Sequence, residues 1–205
     1  MRFYEFESKD LFAKCGLPLG ERRVVHSADE ARAAAVQIGC PVVLKSQVLS
    51  GGRMKAGAVL FADTADEAAK HFETILPIIV NGQEARSILV EQKSPIAKEY
   101  YVGVTWDARR KLPVLIFSDM GGIDIEEVAA NTPEAIHKVH VDLSDGLLPE
   151  QAEGLGNSLG LSGGAADSFV EMIHGLFQLF VEKDCSMVEI NPMVRTEDDR
   201  IVLLD

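Results

Sequence analysis

Apolar and polar positions along this chain alternate between two rhythms. Short apolar runs bounded by Gly, Pro, Asn or Asp read as strands, and stretches with apolar residues three and four apart read as helices. Leu11, Phe12 and Cys15 share one face of a first helix from Ser8 to Cys15, stopped by Gly16. Ser27-Ala28-Asp29-Glu30 is a capping box that opens an Ala-rich helix ending at Gly39. Pro41 to Ser46 reads as a buried strand, then a glycine-rich turn from Ser50 to Gly57, then a strand from Ala58 to Phe61. A second capping box, Thr64-Ala65-Asp66-Glu67, starts a helix expected to reach about Val80. Ser87 to Glu91 is another buried strand. Tyr100 to Trp106 and Leu112 to Phe117 form a hairpin around the polar turn Asp107 to Lys111. A long amphipathic helix is expected from about Ala165 to Glu182, with Phe169, Ile173, Phe177 and Phe180 on its apolar face. The last two runs, Met187 to Pro192 and Ile201 to Asp205, flank the charged turn Arg195 to Arg200 and read as paired strands. Interleaved strands and helices predict an α/β or α+β layered fold, and the polar join from Gln92 to Lys98 is the candidate hinge between two subdomains.

Bulk properties narrow the function. The 205 residues are 47% hydrophobic, enough for one domain or two small subdomains. Net charge is −12, which makes binding to a phosphate backbone by bulk electrostatics unfavourable and argues against nucleic acid. No apolar run approaches the roughly 18 residues of a membrane span, and the N-terminus lacks the apolar core of a signal peptide. Cys15, Cys40 and Cys185 are too scattered for a zinc site or a disulfide framework. They fit a reduced, cytoplasmic protein.

The candidate chemistry lies at four places. Lys45 ends an otherwise apolar strand, where a phosphate is a good partner for a costly buried charge; a lysine snorkelling to water has the same pattern. The turn Gly51-Gly52-Arg53-Met54-Lys55-Ala56-Gly57 lets backbone N–H groups approach a phosphate closely, yet it fits neither a Walker A nor a Rossmann fingerprint. Glu91 and Glu99 bracket a connecting segment, and a carboxylate there can accept both ribose hydroxyls. Asn191 and Asp205 each close a strand with an oxygen-bearing side chain, the kind of ligand Mg²⁺ takes singly alongside substrate phosphates; a surface hairpin with solvated polar ends fits that spacing too. The five histidines show no metal-binding or catalytic spacing and read as structural or surface residues.

Taken together, these segments resemble the ATP-grasp domain of the succinyl-CoA synthetase β subunit and its relatives. Tyr4 to Phe12 resembles H-E-Y-Q-A-K-x-L-F. Val42 to Val48 with Gly51 to Gly57 resembles V-V-K-x-Q-V…G-G-R-G-K-A-G. Leu89-Val90-Glu91 to Tyr101 resembles L-V-E…I-A-K-E-x-Y, Gly121 to Ala129 resembles G-G-v-x-I-E-x-V-A, and Glu189 to Pro192 reads E-I-N-P. The resemblance spans essentially the whole chain.

It implies an ATP-grasp fold of two subdomains, about 21–95 and about 1–20 plus 96–205, with the nucleotide held between two sheets. Lys45 would contact the nucleotide phosphates, Gly52, Arg53 and Met54 would form the loop over them, Glu91 and Ser94 would line the purine and hinge, and Glu99 would take the ribose. Asn191 and Asp205 would hold Mg²⁺, and the nucleotide would be ATP or GTP. The reaction implied makes an acyl-CoA thioester from a carboxylate and CoA through a phosphohistidine on a partner α subunit, so no catalytic nucleophile is expected here. CoA and the carboxylic acid would be met by that partner and by a flavodoxin-like ligase domain, which is expected to lie outside residues 1–205. The acid is open among succinate, malate and citrate. Another ATP-grasp branch, such as a carboxylate–amine ligase, is a second enzyme reading. Met54 stands where the family usually has glycine; a side chain there is expected to tighten or obstruct the phosphate loop, and it motivates a third reading, a non-catalytic interaction subunit.

Overall fold

A computed structural model describes residues 1–205. The chain divides into two compact units, Met1–Leu11 with Gly20–Ser94, and Phe12–Leu19 with Pro95–Asp205. The first helix, α1 (Glu5–Lys14), straddles the boundary, so residues 1–11 group with the first unit, whereas the sequence placed all of 1–20 with the second. The reason is ionic: Glu5 and Lys9 pair with Lys45, Arg53 and Glu91 of the first unit.

The first unit is a four-stranded antiparallel sheet with two helices on one face. Its elements are β1 (Arg22–Val25), α2 (Ala28–Ile38), β2 (Val42–Ser46), β3 (Val59–Ala62), α3 (Ala65–Ile75), β4 (Ile79–Val80), β5 (Gln83–Glu84) and β6 (Ile88–Gln92). The sheet order is β1-β6-β2-β3, and β4 and β5 make a separate small hairpin. Both helices start at the predicted caps: the Ser27 side chain accepts from the Glu30 N–H, and Thr64 with Glu67 forms a full capping box. Because side chains alternate along a strand, Val42 and Leu44 of β2 and Ile88 and Val90 of β6 turn toward the helices. There they pack with Ala31, Ala35, Phe72 and Ile75. Val43, Lys45, Leu89 and Glu91 consequently share the other face.

Helix α3 stops at Ile75, short of the expected Val80. Pro77 has no N–H to extend the helical ladder. Asn81 and Gly82, at φ 48° and 78°, then turn the chain back as a tight hairpin, so Ile79–Val80 pairs with Gln83–Glu84.

The second unit is a five-stranded antiparallel sheet in the order β11-β10-β7-β8-β9. Its elements are β7 (Ile96–Asp107), β8 (Leu112–Ser118), α4 (Ile125–Asn131), a 3₁₀ turn at Pro133–Ala135, β9 (Ile136–His140), α5 (Pro149–Ser158), α6 (Gly163–Glu182), β10 (Met187–Thr196) and β11 (Ile201–Leu203). Phe169 of α6 meets Phe117 of β8 edge-on at 5.7 Å, and Phe180 packs on Trp106 at 5.5 Å, so the predicted apolar face of α6 covers this sheet. Strand β7 begins at Ile96, which reduces the expected hinge at Gln92–Lys98 to residues 93–95 and places Glu99 inside a strand. Strand β10 continues through Pro192 to Thr196, with a register shift against β7 between Ile190 and Met193. The turn itself is centred on Asp199, at φ 62°.

Candidate functional site

Lys45 sits one residue short of the end of β2, on the sheet face opposite α2 and α3. In the register of β2 against β6, Lys45 lies opposite Leu89 and Val43 opposite Glu91, so Lys45 and Glu91 are diagonal neighbours on that face. The Lys45 ammonium is 3.0 Å from Glu91 Oε2 and 2.9 Å from Glu5 Oε1. Lys9 donates to the other Glu91 oxygen and to Glu5, and Arg53 Nη1 donates to Glu5 Oε2 at 2.6 Å. All five side chains are nearly buried. Burial alone would raise the Glu5 carboxyl, but Lys45, Lys9 and Arg53, with the hydrogen bond from Lys9, outweigh it and hold Glu5 well below the usual carboxylate range. Glu91, the residue the resemblance sets beside a purine, has its two oxygens bonded to Lys9 and Lys45.

The glycine-rich turn leaves β2 and is closed by its own backbone: Ala58 N–H donates to Arg53 C=O and Ala56 N–H to Gly52 C=O. Gly52 adopts φ 84°, a conformation that favours glycine. The Arg53 guanidinium also donates to Ser46 C=O, so this side chain anchors the turn rather than reaching outward. Met54 projects to solvent. The β4–β5 hairpin braces the far side: Asn81 Nδ2 donates to Ser50 Oγ and Gly51 C=O, and Gln83 Oε1 accepts from Leu49 N–H. Neither Asn81 nor Gln83, nor Glu5 and Lys9 as partners of Lys45, was singled out by the sequence reading. The one available signal was the Glu5/Lys9 spacing of four residues within a helix. Ser94, half-buried, ends the first unit.

In the second unit a different group converges. Asn191 N–H donates to Asp205 C=O at 2.9 Å, which draws together the two residues expected to hold a metal. Both ends of the Asn191 amide bind the loop after β8: Gly122 N–H donates to Oδ1 at 2.8 Å, and Nδ2 donates to Ile123 C=O at 2.9 Å. Glu99 lies against the same loop, where a Cβ on Gly122 would collide with its Oε2. Nearby, the Tyr101 hydroxyl occupies space left by Gly103. Burial first, then Glu189 and Glu126, push that phenol up from its ordinary value.

The donor chemistry fits a hard cation. An amide oxygen and a carboxylate are ligands Mg²⁺ accepts, completed by substrate oxygens. No group of three or more His, Cys, Asp or Glu able to hold a metal occurs, so the chain offers no self-contained metal cage. Among the histidines, the ring Nε2 of His140 sits 2.8 Å from Asp107 Oδ2 and joins β9 to the end of β7, a structural role.

Residues 2–195 match the ATP-grasp domain family. The chain belongs to the ATP-grasp family. Among curated proteins this ATP-grasp chain is 40% identical over its full 205 residues to the succinate–CoA ligase [ADP-forming] subunit beta of Methanocaldococcus jannaschii, covering 56% of that protein. It is 39% identical to the succinate–CoA ligase [GDP-forming] subunit beta of Thermus thermophilus, covering 54% of it. The chain thus spans about half the length of the curated relatives it matches. Solved structures show the fold: a Pyrococcus horikoshii protein superposes with a TM-score of 0.81 at 23% identity, over 99% of this chain and 88% of that one. A dinucleotide forming acetyl-coenzyme A synthetase of Candidatus Korarchaeum cryptofilum also gives 0.81, at 21% identity, over 99% of this chain and 90% of that one. No helix is long and apolar enough to cross a membrane.

Proposed function

We propose that residues 1–205 are the nucleotide-binding part of the β subunit of an ADP-forming acid–CoA ligase of the succinate–CoA ligase type, exchanging a phosphoryl group between ATP and a histidine of a partner α subunit. The observation that carries this reading is the 40% identity to such a β subunit along the entire chain. The two side-chain clusters support it. Lys45 would neutralise phosphate charge, Gly52 to Met54 would present backbone N–H groups, and Glu91 with Lys9 would keep the Lys45 ammonium in place. Glu99 would accept from the ribose hydroxyls, Ser94 would line the purine, and Asn191 and Asp205 would hold Mg²⁺. Mg²⁺, when bound there, would supply neutralisation of the nucleotide's phosphate charge. Phosphoryl transfer asks a protein mainly for positioning and electrostatics, and the nucleophile would be supplied by the partner. CoA and the carboxylic acid would be met outside residues 1–205, and the proposed compartment is the cytoplasm.

Calorimetric titration of Mg·ATP into the chain, followed by incubation with an α subunit and γ-labelled ATP, tests this. Mg²⁺-dependent binding and label on an α-subunit histidine are expected. Tight binding with label that never reaches the α subunit would instead favour a different ATP-grasp ligase. Met54, exposed on the turn where the resembled family usually has glycine, favours the third reading, a non-catalytic interaction subunit; absence of any Mg·ATP binding would establish it over the first.

A further inference from the structure

An asparagine is an ambiguous metal ligand, because only one end of its amide can approach a cation. The oxygen ligates; the NH₂ group repels. Whatever decides the orientation of Asn191 therefore decides whether it is a ligand at all. Two bonds agree on that orientation here: Gly122 N–H donates to Oδ1, and Nδ2 donates to Ile123 C=O. Rotating the amide by half a turn would set Nδ2 against the Gly122 donor and Oδ1 against the Ile123 acceptor, losing both bonds and opposing like groups. Oδ1 accepts one bond from Gly122 and keeps a second lone-pair direction for a cation.

Gly122 is also the point where the loop meets Glu99. Its φ is 75°, and a Cβ there would overlap the Glu99 carboxylate. Gly121 lets the loop press on β7 beside it, since a Cβ at that position would overlap the Tyr100 backbone; its N–H faces Glu99 C=O at 3.4 Å. One two-glycine turn thus touches both the carboxylate assigned to the ribose and the amide assigned to the metal.

We propose that Gly122 is a positioning residue that fixes Asn191 oxygen-first for Mg²⁺ and, by lacking a side chain, seats Glu99 for the ribose, so that metal and sugar recognition are set by one loop. This rests on the assignment of Asn191 and Glu99 to a Mg·nucleotide site, and the experiment separates the two claims. The full chain, Asn191→Ala and Gly122→Ala are titrated by calorimetry with ATP in Mg²⁺, ATP in EDTA, and 2′-deoxy-ATP in Mg²⁺, with circular dichroism to show folding. Asn191→Ala is expected to lose the Mg²⁺ dependence; if it does not, the metal assignment itself falls and the proposal with it. With that dependence lost, Gly122→Ala is expected to weaken Mg·ATP binding by about tenfold or more, as loss of a ligand-orienting partner does. It should also reduce the preference for ATP over 2′-deoxy-ATP, with binding in EDTA changed much less. A folded Gly122→Ala protein with wild-type Mg²⁺ dependence and wild-type sugar preference overturns the positioning role alone. Should Gly122→Ala not fold, Mn·ATP added to the ¹⁵N-labelled native chain decides the matter. Paramagnetic broadening of the Gly122 amide and Asn191 side-chain resonances supports the proposal, and unbroadened resonances under saturating Mn·ATP overturn it.

Discussion

Arg53 Nη1 lies 2.6 Å from Glu5 Oε2, so the glycine-rich turn is fastened to the N-terminal helix by a nearly buried ion pair. The same carboxylate receives Lys9 and Lys45. Deleting it would leave three buried cations gathered around Glu91 alone among the carboxylates of this group. Glu5→Ala is expected to destabilise the chain by about 3–5 kcal/mol, the cost of breaking a buried pair from one side. Urea unfolding followed by circular dichroism measures it; a loss below 1 kcal/mol would show that the cluster is well hydrated in solution.

Acid should expose the same group. Glu5 titrates below its ordinary value in the folded chain, so its contribution is fully present above the unfolded carboxylate value of about 4.3 and is lost as pH falls through the depressed folded value. Glu5→Gln cannot titrate. The stability gap between native chain and Glu5→Gln should be constant near neutrality and shrink below about pH 4. A gap that stays level down to pH 2 would contradict the assignment.

Lys45→Met keeps the length of the side chain and removes its charge. Mg·ATP binding is expected to weaken by about 1.5–3 kcal/mol, the range for hydrogen bonds to charged groups. Calorimetry at fixed Mg²⁺ checks this, and unchanged affinity would move the phosphate site elsewhere.

Two glycines should respond oppositely to alanine. A Cβ on Gly103 meets the Tyr101 hydroxyl at 2.8 Å, whereas at Gly154, inside α5, it meets nothing within 4 Å. Gly154→Ala is expected to stabilise by roughly 0.5–1 kcal/mol through helix propensity. Gly103→Ala is expected to destabilise, by about 1–3 kcal/mol for overpacking. Thermal melts of both variants test the contrast.

Removing the cap of α3 should be felt locally. Thr64 accepts from Glu67 N–H while Glu67 accepts from Thr64 N–H. Thr64→Ala is expected to cost about 1 kcal/mol, read by urea titration.

What the amino-acid sequence revealed depended on how local the signal was. Strand β2, the turn after it and the starts of both capped helices follow from short patterns, and the structure places them within a residue or two. The two helices between Ile125 and Ser158 carry little local signal, because they are short, punctuated by Pro149, Gly154 and Gly156, and weakly amphipathic. Contacts between distant positions were invisible: Lys9 and Glu91 stand 82 residues apart, and no spacing rule joins them. The extension of α3 to Val80 failed because apolar periodicity continued past Pro77 while the hydrogen-bond ladder did not. Lys45, Asn191 and Asp205 were visible as chemistry; what holds them was not.

The double carboxylate embrace of Lys45 changes what it would mean for a nucleotide to arrive. A lysine waiting in water sheds loosely held counterions when a phosphate docks, and its affinity falls steeply with added salt. Lys45 already has its counterions built into the same chain, as Glu5 and Glu91, at 2.9 and 3.0 Å. Phosphate binding at this ammonium would be an exchange of one anion for another inside the protein, giving a shallow dependence on ionic strength. The affinity would then report the difference between two pairings rather than the strength of either one.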